Sequence, residues 1–255
     1  TASHVKSTVT KLYGGQDIIW YDPTGGDART KFIYREGQST LAVWGLEWAG
    51  VDPSNGKNMW YLNNNKAPAN IVNGRPVTYK YSDASEVIIG NIHPKLFGGI
   101  NTDVTWRGIN LGLNFNYKLG GKTYDGAGRD VNDDGYYWER IISQDAYENR
   151  WTPENKNAKY PQRMATDMED VNQKSSRHLH SADFIRLKSL TLAYNLPKSI
   201  LSKVNASKAR IYFTGLNLWT LSVHKVYDPE VSEYGSRGWE MPIGKTYTFG
   251  VELTF

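Results

Sequence analysis

The stretch Lys245-Thr246-Tyr247-Thr248-Phe249-Gly250-Val251-Glu252-Leu253-Thr254-Phe255 decides how the chain is read. Odd positions from Tyr247 onward are apolar or aromatic, and even positions from Thr246 onward are Thr, Gly or Glu. Side chains alternate sides along a strand, so a period of two gives one apolar face and one polar face. Two settings suit such a strand. One is the edge of a soluble sandwich. The other is the wall of an outer-membrane barrel, with the apolar face toward lipid and the polar face toward a lumen.

The neighbouring stretches favour the second setting. Ile100, Thr102, Val104 and Trp106 form one strand face, against Asn101, Asp103, Thr105 and Arg107. After a very short turn at Arg107-Gly108, the return strand sets Ile109, Leu111, Leu113, Phe115, Tyr117 and Leu119 on one side. Asn110, Gly112, Asn114, Asn116 and Lys118 take the other. About ten residues of alternation is the span of a hydrocarbon core. Asn110, Asn114, Asn116 and Lys118 are then candidates to line a substrate path, or to touch whatever fills the lumen. Residues 183–195 predict a further strand, ending with Leu190, Leu192 and Tyr194 on one face and stopped by Pro197. Residues 209–220 predict another. Residues 39–50 and 58–62 have strand composition on either side of a turn at 51–57, where Asn55-Gly56 offers positive φ. Residues 1–12 alternate weakly.

The connections differ in length. Those at 51–57, Arg107-Gly108 and 197–207 are short, whereas 63–97, 120–182 and 221–244 are long and polar. With Phe255 at the periplasmic rim, every short connection falls on the periplasmic side and every long one outside. That is the arrangement of outer-membrane barrels. It also accounts for the weak periodicity of 120–182, which a compact soluble domain would not readily hold. The predicted fold class is all-β: an antiparallel transmembrane β-barrel segment of about eight strands with long extracellular loops.

Composition bounds the function. The net charge is +4, with basic and acidic residues interspersed, so no basic stripe points to nucleic acid. There are no cysteines, hence no disulfide framework. Mean hydropathy is −0.58 and no apolar run is long enough for a membrane helix, which leaves strands unaffected. The 17 Tyr and 9 Trp suit interfacial girdles or a sugar-stacking surface. Thr1-Ala2-Ser3-His4 lacks the features of a signal peptide, so an exported protein would contain this chain as a piece or a mature form.

Sites of chemistry are sparse. Asp130-Val131-Asn132-Asp133-Asp134-Gly135 opens like an EF-hand loop, with Asp130, Asn132 and Asp134 as oxygen ligands for Ca²⁺. Ile141 stands where the closing Glu belongs, so a solvated Asp/Asn turn is the plainer reading. No other cofactor is suggested. His178 and His180 would share a face on a strand, but no carboxylate partner is evident in the sequence, and the five histidines are expected at the surface. Phosphate-loop, dinucleotide and nucleophile-elbow motifs are missing, so no enzyme is predicted. Trp138, Trp151 and Trp239 fall in the long loops, where they would stack on ligand or pack internally.

Several blocks resemble SusC/RagA-type TonB-linked outer-membrane proteins of the TonB-dependent receptor family. Residues 182–197 (ADFIRLKSLTLAYNLP) resemble the family's near-terminal signature. ARIYFTGLNLWT at 209–220, DPEVS at 228–232 and the closing KTYTFGVELTF follow in order. GLEWAGVDPSNGKNMWY, IHPKLFGGINTDVTWRGINLGLNFNYKLG and RWTPENKNAKYP resemble further family segments upstream. The resemblance implies the C-terminal part of a barrel of roughly 22 strands with a plugged lumen, with plug and N-terminal strands outside this sequence. It implies an importer of oligosaccharides or peptides in the outer membrane of a Gram-negative, Bacteroidetes-like cell. Its partners would be a SusD-like lipoprotein, the TonB complex through the N-terminal part, the remaining strands and plug, and outer-membrane lipid. Phe255 would be the signal read by the barrel-assembly machinery. An open sheet exposes unpaired amides, so these strands need partners to sit in lipid. A soluble or secreted glycan-binding module and a secreted β-rich hydrolase are the alternatives.

Overall fold

The computed structural model describes all residues except 25–28, 138, 165–169, 204, 225–227 and 231–233. With strands numbered along the chain, the largest sheet joins β1 (Ala2–Ser3), β10 (Leu96–Trp106), β11 (Ile109–Leu119), β14 (Phe184–Asn195), β15 (Lys208–Ser222) and β17 (Thr246–Thr254), in that order. All neighbours are antiparallel. Trp106 pairs with Ile109, so the β10–β11 hairpin turns on two residues. Arg107 (φ 47°) and Gly108 (φ 86°) both take the positive φ that a type I′ turn demands.

Register sorts the side chains into two faces. Val104, Leu111, Leu192, Phe213 and Phe249 form one cross-strand row on the outer face. On the inner face, Asp103, Gly112, Thr191, Thr214 and Thr248 form the matching polar row. The outer face is open: Trp106 is 62% exposed and Phe249 79%. One irregularity keeps the outer side of β14 apolar. Phe115 pairs with Leu187 while Asn114 pairs with Ser189, so Lys188 is an extra residue in β14. The bulge shifts the phase, placing Ile185 and Leu187 on the same side as Leu190, Leu192 and Tyr194.

The rest of the chain forms a second layer of short strands. One sheet orders β2 (Ile18–Tyr21), β3 (Lys31–Tyr34), β4 (Ala42–Gly45) and β9 (Val87–Asn91). Another holds β5 (Trp48–Val51), β6 (Asn58–Tyr61), β7 (Asn70–Val72) and β8 (Arg75–Thr78), in the order β5-β6-β8-β7. A third joins β13 (Leu179–Ser181), β12 (Lys122–Asp125) and β16 (Ser236–Arg237). Short helices α1 (Gly126–Val131) and α2 (Gln144–Glu148) lie in the 120–182 segment, and α3 (Lys198–Leu201) lies in the short connection before β15. Phe32, Val43, Ile92, Tyr124 and Leu179 form a buried cluster across two of these sheets, and Met59, Tyr61 and Val77 form another. Gly90 allows the close approach, because a Cβ there would lie 2.6 Å from Leu179 Cδ2.

This layer corrects part of the sequence reading. Residues 39–50 and 58–62 supply strands to the loop layer, not to the large sheet, which has six described strands instead of about eight. The four residues of β5 or β6 reach about 13 Å, too short to cross a hydrocarbon core. The 51–57 turn therefore packs among the loops. Trp151 Nε1 donates to Pro53 O (3.0 Å) and Gln162 Nε2 to Asn55 O (2.8 Å). It does not belong with Arg107-Gly108 at the opposite rim. Residues 63–97, read as loop, hold β7, β8, β9 and the start of β10.

Candidate functional site

The inner face of the large sheet forms a polar cleft of about 440 Å³. Asn110 and Asn114 line it with Asp103, Ser189, Thr191 and Arg210. Thr105 Oγ1 donates to Asn110 Oδ1 at 2.9 Å. Asn114 Oδ1 and Arg210 Nε are buried without a hydrogen-bond partner among the described residues, so the cleft keeps unspent polar capacity. Of the other two predicted lining residues, Asn116 pairs with Gly99 further along β11. Lys118 borders a separate cleft of about 410 Å³ with Val5, Leu41, His93, Pro94, Phe97 and Tyr234. The four inward residues thus divide between surfaces.

A charged clasp holds a long loop to this face. Arg186, on the inner side of β14, donates to Asp228 Oδ1 and to Glu230 Oε2, each at 2.5 Å. Its side chain is 2% exposed and that of Asp228 9%. Lys188, displaced by the bulge, reaches Glu230 Oε2 at 3.0 Å. Arg237 donates to the Asp228 carbonyl, and the backbone N–H of Ile243 to Asp228 Oδ2 (3.1 Å). Burial pushes the Asp228 carboxyl up, but the Glu230 N–H and the Arg186 guanidinium outweigh it, leaving its pKa below the ordinary value. The sequence showed these residues only as motif letters. Nothing in their spacing tells that Arg186 meets residues more than forty positions away.

The predicted Ca²⁺ ligands are largely occupied by protein donors. Asp134 accepts from Asn58 Nδ2, the Asn172 N–H and Arg177. Asn132 Oδ1 accepts from Ser143 Oγ, and Asp130 pairs with Arg129. The neighbouring Asp133 carboxyl is pushed up, chiefly by burial. Trp151 packs internally over Gly56, whose Cβ would collide with the indole at 2.5 Å. Trp239 is exposed, Trp138 lies outside the described residues, and Phe255 is exposed beyond β17.

A histidine pair with a carboxylate is assembled that the sequence did not reveal. His180 on β13 pairs with Thr123, and its ring stacks on His224 at 4.3 Å and 8°. His224 Nε2 lies 3.2 Å from Asp125 Oδ2. His180 is pushed down to about 4, first by burial and next by His224. His178 is not at the surface: it is buried in edge contact with the Tyr124 ring, and burial pushes it far down.

No protein-family profile matches the chain. TonB-dependent receptor P3 of Formosa agariphila is 26% identical over 278 aligned residues, 99% of this chain. The chain resembles a TonB-dependent receptor. TonB-dependent receptor P26 of the same organism is 27% identical over 66% of the chain. Solved structures of the RagAB peptide transporter and of the RagAB peptide importer in its 'closed-closed' state superpose at TM-scores of 0.78 and 0.80, with 26% and 27% identity over the whole chain. The chain spans about a quarter of the length of these relatives: 26% of receptor P3 and 26% of each RagAB chain. The SusC/RagA-type resemblance thus holds along the chain, and the large sheet is a segment of β-barrel wall. The named relatives are receptors and transporters, not enzymes.

Proposed function

We infer that the chain is the C-terminal wall and loop layer of a SusC-like, TonB-dependent importer in the outer membrane of a Gram-negative, Bacteroidetes-like cell. The observation that carries this reading is the two-faced sheet. The outer row from Val104 to Phe249 is suited to lipid, and the inner row from Asp103 to Thr248 to a wet lumen. A soluble glycan-binding module would have to leave that apolar face in water, at about 25 cal/mol for each Å². Peptides are the favoured cargo over oligosaccharides, because the RagAB relatives are described as peptide transporters. A SusD-like lipoprotein would cap the loop layer and the TonB system would supply energy through the N-terminal part. In this scheme the chain performs no covalent step. The cleft at Asn110 and Asn114 offers hydrogen bonds to cargo or plug, and the Arg186 clasp positions the loop above it.

The test is uptake. Cells lacking the full-length receptor should lose import of labelled peptides, and restoring the receptor should recover it only with TonB present. Recovery of the receptor in a detergent-free soluble fraction would overturn the membrane reading. Unchanged peptide import with lost oligosaccharide import would overturn the cargo.

A further inference from the structure

We propose that Asp125, His180 and His224 bind a divalent transition-metal ion of the zinc class, clamping the barrel wall to the loop layer. One donor atom from each residue lies within 4.8 Å of the others. The donors come from three places: the end of β12, the centre of β13, and two residues beyond the end of β15. An ion here would join a wall strand to the loop sheet at the base of the segment that returns to β17.

The chemistry of the set favours zinc over calcium or magnesium. Two imidazole nitrogens and one carboxylate oxygen suit Zn²⁺ with a fourth position open, whereas Ca²⁺ and Mg²⁺ take all-oxygen shells. The plain alternative is a carboxylate–histidine hydrogen bond with a second ring stacked beside it. Two features favour a metal. No hydrogen bond joins the His180 ring to another described residue, so its nitrogens are uncommitted within that set. Asp125 is also oriented from behind: its Oδ1 accepts the Gly128 N–H at 2.7 Å, leaving Oδ2 directed at His224. Such backing hydrogen bonds hold metal-ligating carboxylates in place. The stacked rings have lone pairs running side by side, so binding requires one imidazole to tip. His224 lies in a bend outside the β15 ladder and is the ring placed to do so. The site does not depend on what the receptor imports.

The full-length receptor, purified in detergent and stripped with EDTA, is titrated calorimetrically with Zn²⁺ and spectroscopically with Co²⁺. One Zn²⁺ equivalent should vanish in both His180→Gln and His224→Gln. Asp125→Asn should weaken it by about 10-fold or more. Co²⁺ should give the intense visible absorption of a four-coordinate ion. Unchanged stoichiometry and affinity in both histidine variants overturn the proposal, as does a pale six-coordinate Co²⁺ spectrum. Folding is checked by heat-modifiable gel migration. Where a variant fails that check, X-ray absorption on the Zn²⁺-loaded wild-type receptor decides: scattering from two imidazoles supports the site, and an all-oxygen shell overturns it.

Discussion

The barrel wall and the loop layer solve opposite solvation problems with one chain. The loop layer folds as soluble proteins do, with Phe32, Ile33, Val77 and Leu62 buried inside. The wall turns its largest apolar side chains outward and keeps Ala193 and Ala209 among its few buried residues. Hydrophobicity alone therefore does not locate a core here. Strand length does: the wall strands β10, β11 and β14 run to 11, 11 and 12 residues, whereas the central loop-layer strands β3, β4 and β6 have four each.

The contrast can be broken most strongly from the loop side. Phe32→Ala should cost about 3–5 kcal/mol of loop-layer stability. Limited proteolysis should then cut the loops while heat-modifiable gel migration of the wall persists. Arg186→Ala should cost about 3–5 kcal/mol, because it strands the buried Asp228 without its cation, while Glu230 keeps Lys188. Cleavage confined to the segment after β15 is the readout. On the wall, Phe249→Arg should cost about 2–4 kcal/mol if it lies near the bilayer midplane. That is measured by reversible unfolding of the receptor in lipid vesicles, with an effect near zero refuting a lipid-facing position at that depth.

Acid offers a gentler probe. Asp228 has a folded pKa below its unfolded value, so its stabilisation is present above the ordinary carboxylate pKa of about 3.9 and is lost as pH falls through the folded value. The loop should stay clasped at neutral and mildly acidic pH and release only in stronger acid, as followed by hydrogen exchange of the segment after β15. Release near pH 6 would contradict this assignment. The smallest expected effect is Trp239→Ala, within about 0.5 kcal/mol for stability because the side chain is exposed. A large loss of import with unchanged stability would assign that indole to cargo or cap.

The wall was legible because its signal is local. Period-two alternation in 109–119 and 246–254 needs no knowledge of partners, and the Arg107-Gly108 turn reads from two residues. The loop layer was not legible in this way. Its strands are three to five residues long in β2 to β9, below the length at which alternation stands out. The 51–57 hairpin was misplaced because its turn chemistry is the same in water as at a membrane rim. Site residues followed the same division. The inward placement of Asn110 and Asn114 was read from strand phase. The Arg186 clasp and the Asp125–His180–His224 group arise from contacts between residues tens of positions apart.

The extra residue at Lys188 fixes the parity of β14. Drawing it into the ladder would leave Leu190 to Tyr194 facing lipid but invert everything before it. Phe184 and Arg186 would point outward and Ile185 inward. The guanidinium that now clasps Asp228 would enter hydrocarbon, and the loop would lose its tether in the same event. Loss of the bulge with Lys188 retained thus acts as two lesions on opposite sides of the wall, whereas deletion of Lys188 itself straightens the strand and preserves the parity.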